Sequence, residues 1–436
     1  MTVIKDWKLD KLGHAVVTRE ARYWRPAKGR SVICDLCYRA CVIEPGQAGW
    51  CKSRVNRSGR LVLSSHGVLS SLALQMRGYQ VDPFMTYKPG ALSLFVGGTH
   101  CTSGCVFCMS KEITWRPDRI PWGYGERKLA QGLFFTHRAM VHPKAVIWTA
   151  QYLGCSQIEF GINEPLMTYE YTLDTARLAK AAGLEVVIET NGFSSTAAIR
   201  ELAPYIDAVD LGIKGSADPA FYAKWMKAPG SSVEAVKESA LEWRRAGVHL
   251  IIGDVIAPSH MQSEEAFNQS VRDFYQWIYD NLGALTEVLI TTLNIPGPAS
   301  SQASDDDRLF LPPTATRLDK EIYQAKINWA ICAAHKIGLP YAHNKTALEP
   351  ILCHACKGEL LVFKTPEVYC FPCTMPMQFC DQWDTTSYVT AGHCDHCGAQ
   401  VPIVSQTAEE REKSLAALRS FPDEPRYKGK QTFLPA

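Results

Sequence analysis

The chain has 436 residues, 46% of them hydrophobic and 21% charged, with a net charge of +2 at neutral pH. That length allows two or three domains with a sizeable core, and the near-neutral charge argues against a nucleic-acid or anionic-membrane partner. No apolar run approaches the ~20 residues of a membrane helix, and residues 1–8 carry charges where a secretion signal needs an apolar core. The sixteen cysteines stand out. All but Cys155 and Cys332 fall in tight groups, and without a secretion signal such groups point to metal rather than disulfides. The expected setting is a reducing, anoxic cytoplasm.

Residues 1–30 are basic and aromatic without a clear period. The first cysteine group follows: Cys34, Cys37, Cys41 and Cys51, with Pro45, Gly46 and Gly49 forcing turns between the third and fourth. Four thiols in one turn-rich unit predict a single metal centre; tetrahedral zinc and an auxiliary [4Fe–4S] cluster both fit. Residues 60–95 alternate apolar and polar, as short strands do. Leu92-Ser-Leu-Phe-Val-Gly-Gly reads as a buried strand ending in two glycines. The next group, Cys101, Cys105 and Cys108, therefore lies on the loop at that strand's C-terminal end, with Phe107 before the last cysteine. A [4Fe–4S] cluster normally takes four cysteines, so three thiolates leave one iron open to a small molecule. The plainer alternative is a structural zinc loop, but zinc sites usually pair two x2 knuckles from separate segments.

From 140 onward helical and strand patterns alternate. Helices are expected near 128–152, 168–182, 197–205, 233–246, 264–281 and 316–336, several of them ending at a glycine (Gly183, Gly247, Gly338). Strands are expected at 157–161, 185–189, 208–213, 249–256 and 287–292. With the strand before the cysteine loop this makes six parallel strands. A partial (β/α)6 barrel fits, and a flat doubly wound sheet competes with it. In such folds chemistry gathers at strand C-termini. Three strand ends carry polar sets: Asn163-Glu164-Pro165, Glu189-Thr190-Asn191 and the pair Asp210 and Lys214. Each taken alone also reads as a helix cap.

The C-terminal region carries two x2 knuckles, Cys353/Cys356 and Cys394/Cys397, resembling a zinc ribbon or rubredoxin-like site. Between them stand Cys370, Cys373 and Cys380. Two sites need more ligands than these seven cysteines, so His354, His393 or His396 is a candidate eighth. Zinc and an iron centre both remain open. Cys155 and Cys332 read as core, Cys332 because Trp329, Ala330 and Ile331 adjoin it. The acidic run Asp305-Asp-Asp307 reads as a loop, and residues near 408–419 as a short helix in a charged tail.

The Cys101/Cys105/Cys108 spacing with Phe107 resembles the signature of the radical S-adenosylmethionine (SAM) superfamily. The order Cys34 to Arg54, Val81-Asp-Pro-Phe, Tyr87-Lys-Pro-Gly90 and the cysteine loop resembles, within it, enzymes related to the pyruvate formate-lyase activating enzyme, in particular the AmmeMemoRadiSam branch. The likeness runs over residues 34–400, with an unusual insertion near 111–140. It implies an α/β partial (β/α)6 barrel at 81–345, flanked by cysteine-rich metal-binding modules at 1–80 and 346–405 and a tail at 406–436. It implies that SAM chelates the open iron and is cleaved to methionine and a 5′-deoxyadenosyl radical. The Asn163–Glu164 segment would take the SAM amino group, and Glu189, Thr190 and Asn191 its ribose and carboxylate. Flavodoxin or ferredoxin would donate the electron. Relatives often place histidines near the sixth strand, and 289–295 has none. A glycyl-radical-enzyme activase is the alternative enzyme. An iron–sulfur electron-transfer or metal-scaffold protein and a zinc-ribbon nucleic-acid binder are the competitors of other classes.

Overall fold

The computed structural model describes residues 8–9, 15–16, 19–76, 84, 86–108, 110–115, 117, 138–257, 262–292, 317–344, 350–364 and 384–420. One eight-stranded sheet dominates. Its strands are β1 (Ser71–Met76), β2 (Leu92–Gly97), β3 (Gln157–Gly161), β4 (Glu185–Thr190), β5 (Ala208–Lys214), β6 (His249–Ile256), β7 (Glu287–Thr292) and β8 (Ala342–Asn344). They lie side by side in chain order. β1 pairs antiparallel to β2, and every later neighbour is parallel. Between the strands run α1 (Pro143–Tyr152), α2 (Tyr169–Ala181), α3 (Thr196–Leu202), α4 (Pro219–Trp225), α5 (Ser232–Arg245), α6 (Glu264–Leu282) and α7 (Arg317–Ile337).

The six expected parallel strands are present, and β8 is a seventh. Its three residues are too short for a pattern to register. The strand order never reverses, so it lacks the switch point of a doubly wound sheet. Right-handed crossovers then place all the helices on one face. That face is apolar: Val186, Ile188, Val209, Leu211, Ile213 and Ile252 are fully buried against Trp243 of α5 and Tyr275 of α6. The two-residue period of the strands turns Phe95, Glu159, Glu189, Asp210 and Lys214 to the opposite face. There a small apolar plug of Phe84, Tyr87, Val187, Ala208, Ile251 and Leu289 packs in the first halves of β4 to β7. The strands' C-terminal halves are left polar.

The first helix starts at Pro143 rather than near 128, because proline fits the first turn and the His142 ring accepts from the Lys144 N–H at 3.1 Å. The insertion near 111–140 is described only at its edges. Residues 111–114 form one helical turn, and Ala139–Met140 pairs with Val68–Leu69. Asp305–Asp307 and Cys370, Cys373 and Cys380 lie outside the described residues. Cys155 is buried as expected, but Cys332 is exposed. Ile327, Ala330 and Ala334 form the buried stripe of α7, and a residue two positions from Ala330 points away from it.

Residues 19–69 make a small unit of two three-stranded antiparallel sheets. Its Cys37 bridges Ser194, just past the end of β4. The C-terminal unit has its own core of Ile351, Cys353, Leu360, Leu361, Val389, Cys394, Val401 and Ile403. It is followed by α8 (Ala408–Ser420). Among the described residues no helix is long and apolar enough to cross a membrane.

Candidate active site and metal centres

The Cys101–Cys108 loop leaves β2 and is fastened by its backbone. The Gly104 and Val106 N–H groups donate to Met226 and Trp225 carbonyls, each at 2.9 Å, at the end of α4. Phe107 packs on Phe221 of α4, ring centroids 5.6 Å apart. Gly104 has no room for a side chain, since a Cβ there would lie 2.9 Å from Lys227 and 3.1 Å from Trp50. All three cysteines are half-buried. Each thiol has a polar neighbour: Asn191 Nδ2 stands 3.7 Å from Cys101 Sγ, Ser103 Oγ 2.9 Å from Cys105 Sγ, and Thr114 Oγ1 3.5 Å from Cys108 Sγ. Burial, then the charges of Glu164 and Cys105, push the Cys101 thiol well above its usual range, and burial pushes Cys105 up to about 11. Thiols so disposed ionise when a metal takes the place of the proton.

The expected polar strand ends converge beside this loop. Asn163 Oδ1 accepts from the Gly98 N–H at 2.9 Å, and its amide donates to the Thr99 and His100 carbonyls at 3.2 and 3.1 Å. Glu164 is buried and spans to β4, accepting from Thr190 Oγ1 at 2.9 Å and from the Asn191 N–H at 2.7 Å. It also accepts from the Leu166 N–H at 3.0 Å, capping the short turn that follows. Burial raises its carboxyl to about 6 against these bonds. Glu164 is thus used by the chain itself to lock two strand ends. Asn191 Nδ2 donates to Thr102 Oγ1 at 3.0 Å and ties the same strand end to the cysteine loop.

Glycines clear the sheet's polar face for its side chains. A Cβ at Gly161 would lie 2.9 Å from the Glu189 carboxyl carbon, at Gly253 2.7 Å from Asp210 Oδ1, and at Gly212 2.6 Å from Lys214 Nζ. Lys214 Nζ donates to the Gly212 carbonyl at 2.6 Å, and its charge acts on both Cys105 and Glu164. β7 lacks histidine, but the neighbouring β8 supplies His343, whose Nε2 is 3.1 Å from a Glu287 oxygen.

The four N-terminal cysteines, Cys34, Cys37, Cys41 and Cys51, line one small cavity, walled also by Arg54, Arg39, Trp50 and Thr102. Arg39 Nε donates to the Thr102 carbonyl at 2.7 Å and stacks on Trp50, 4.0 Å from the ring centroid. The second sequence-distant partner is Arg54, fully buried and paired with Glu170 of α2 at 2.6 Å. Only the 116-residue separation that folding closes makes Arg54 and Glu170 neighbours.

At the C-terminus, Cys353, Cys356, Cys394 and Cys397 bring their Sγ atoms within 4.8 Å of one another. The cross-knuckle pairs stand at 3.7 and 3.8 Å. A tetrahedron of thiolates on one zinc has edges of about 3.8 Å, given its ~2.3 Å bonds, so this quartet fits one metal ion. Burial opposes ionisation of Cys353, but backbone N–H groups and the Cys397 thiol outweigh it and bring Cys353 down to about 7. The three histidines are engaged elsewhere: His354 with Tyr341 Oη at 2.9 Å, His393 with the Ala391 carbonyl at 2.9 Å, and His396 with the Glu359 carbonyl at 3.1 Å.

Residues 95–274 match the family model described as the radical SAM superfamily. An uncharacterized protein of Methanocaldococcus jannaschii is 28% identical over 274 residues, 62% of this chain and 72% of that protein. Among solved structures, Streptococcus suis SuiB bound to S-adenosylmethionine aligns at 14% identity and TM-score 0.34, over 54% of this chain and 46% of that one. QueE from Escherichia coli aligns at 12% identity and TM-score 0.33, over 56% of this chain and 87% of that one. The chain thus spans about half of the first of these structures.

Proposed function

We propose that this chain is a radical SAM enzyme that carries a [4Fe–4S] cluster on Cys101, Cys105 and Cys108 and binds SAM at the open iron. The observation that carries the reading is the three-thiol loop, set at the end of β2 inside the stretch that matches the radical SAM family model and walled by the polar ends of β3 and β4. When bound, the cluster and SAM supply a 5′-deoxyadenosyl radical that takes a hydrogen atom from a small molecule or a protein residue. The chain's own residues hold the geometry. Phe107 wedges against Phe221, Asn163 clamps the approach to the loop, and Glu164 joins the strand ends. Glu189, Thr190 and Asn191 then offer polar groups to the SAM ribose and carboxylate, and Asp210 and Lys214 line the sheet's polar face toward a substrate.

The open, singly wound sheet supports a partial (β/α)6 barrel at 81–345. The sequence order of residues 34–54 and 87–90 supports the pyruvate formate-lyase-activase-related, AmmeMemoRadiSam-like branch. A flavodoxin or ferredoxin in a reducing cytoplasm would be the electron donor. The C-terminal quartet is read, on its sulfur spacing, as a structural site for one tetrahedral ion, zinc or mononuclear iron.

The test is anaerobic reconstitution followed by reduction with dithionite. The enzyme should release 5′-deoxyadenosine slowly without substrate, and SAM should reshape a reduced-cluster EPR signal. Joint Cys101→Ala, Cys105→Ala and Cys108→Ala substitution should abolish both. SAM cleavage surviving in that variant would refute the assignment.

A further inference from the structure

We propose that Cys34, Cys37, Cys41 and Cys51 hold a second [4Fe–4S] cluster, fully ligated by protein, which passes electrons through the Thr102 wall to the SAM-binding cluster. The relay role rests on the function proposed above; the cluster assignment does not.

The first argument is spacing. Among the described residues only the C-terminal quartet brings three or more potential ligand atoms within 4.8 Å of one another. The N-terminal four line a common cavity without closing to that distance. One tetrahedral ion needs thiolates about 3.8 Å apart. A cubane binds each thiolate through a different iron, so its sulfurs stand farther apart around a body that must itself be housed. The four cysteines face one common hollow, where such a body would sit.

The second argument is Arg54. Its side chain is fully buried and lines this cavity. Its Nη atoms are taken up by Glu170 at 2.6 Å and the Arg22 carbonyl at 2.8 Å, but its Nε–H meets no acceptor among the described residues. A buried donor without an acceptor is costly. A cluster on four thiolates is an anion, and its sulfurs accept hydrogen bonds from such donors. Arg54 thus offers a hydrogen-bond donor to such a guest.

The third argument is position. The unit docks on the strand ends that frame the cysteine loop: Tyr38 N–H donates to the Phe193 carbonyl at 3.0 Å, Ser195 N–H to the Leu36 carbonyl at 2.8 Å, and Arg39 to Thr102 and Lys227. Thr102 walls the cavity and follows Cys101 directly in the chain. Four protein ligands leave no iron open for substrate, so the chemistry left to this cluster is one-electron transfer. A reduced low-potential carrier protein gives it one electron, that electron goes on to the SAM-binding cluster, and the relay returns to its oxidised state.

The experiment reconstitutes the full chain with iron and sulfide and measures metal content with EPR. Wild type should hold about eight irons, and the Cys101/Cys105/Cys108→Ala variant about four, with a reduced signal that SAM leaves unchanged. Cys34→Ser with Cys37→Ser should lose that signal and keep the SAM-responsive one. Should that double variant fail to fold, Arg54→Lys keeps the charge but removes the Nε–H; it should lower the potential of the SAM-indifferent signal alone. A triple variant without iron but with a second zinc per chain overturns the proposal, as does an Arg54→Lys potential that does not move. A wild type with no SAM-responsive signal would instead sink the function reading, and the triple variant's iron would still decide this one.

Discussion

Glu164 carries three donors on one carboxylate, from Thr190, Asn191 and Leu166. Glu164→Ala strands them in a buried place, so it should cost about 2–4 kcal/mol of stability and also weaken SAM binding by letting the β4 end drift. Denaturant melts beside SAM titrations check this; weaker SAM binding at unchanged stability would make Glu164 a ligand rather than a brace. Asp254, on β6, accepts from Ser216 N and Oγ and from Tyr275 Oη at 3.1, 2.8 and 3.0 Å. Burial nevertheless raises it from 3.8 to about 6. Folding therefore favours its protonated form. That contribution is complete below about pH 4 and is lost as pH rises through about 6, a span of about 3 kcal/mol. Asp254→Asn should match wild type near pH 4 and exceed it at pH 7.5. Urea midpoints at the two pH values test it, and a variant weaker at both would refute it.

The helices were legible because apolar periodicity and stop signals agree. Gly183 and Gly247, at φ +76° and +74°, follow α2 and α5 where the pattern stops. β8 was not legible, because three residues carry no period and only the turn after α7 delivers them to β7. The cysteine loop could be read from spacing alone. The glycines on the sheet's polar face could not, since what requires Gly161 is Glu189 on the next strand. Gly161→Ala should leave the circular dichroism spectrum unchanged and cut 5′-deoxyadenosine release at least about tenfold, the cost of ~1.4 kcal/mol of misplacement. Unchanged release would mean that Glu189 has room to yield without consequence.

Among the described residues, three cysteine sets divide by sulfur spacing into one compact quartet and two looser sets on the same rim of the sheet. Removing the C-terminal metal with a zinc chelator should unfold the 351–403 unit, since structural zinc contributes about 10–16 kcal/mol in small domains. Hydrogen exchange should rise there and stay low in β3 to β6; equal protection with and without chelator would count against a structural metal. The plug under the sheet is finished by the far end of the chain. Tyr87 bridges Val404, and Lys88 Nζ reaches Glu185 at 2.6 Å and Glu410 at 2.5 Å. On the ribosome the N-terminal parts emerge first, so the cysteine loop and its neighbours leave the exit tunnel long before residues 404–410 arrive to complete the plug. For most of its synthesis the nascent chain therefore lacks the contacts of Val404 and Glu410 that complete the plug.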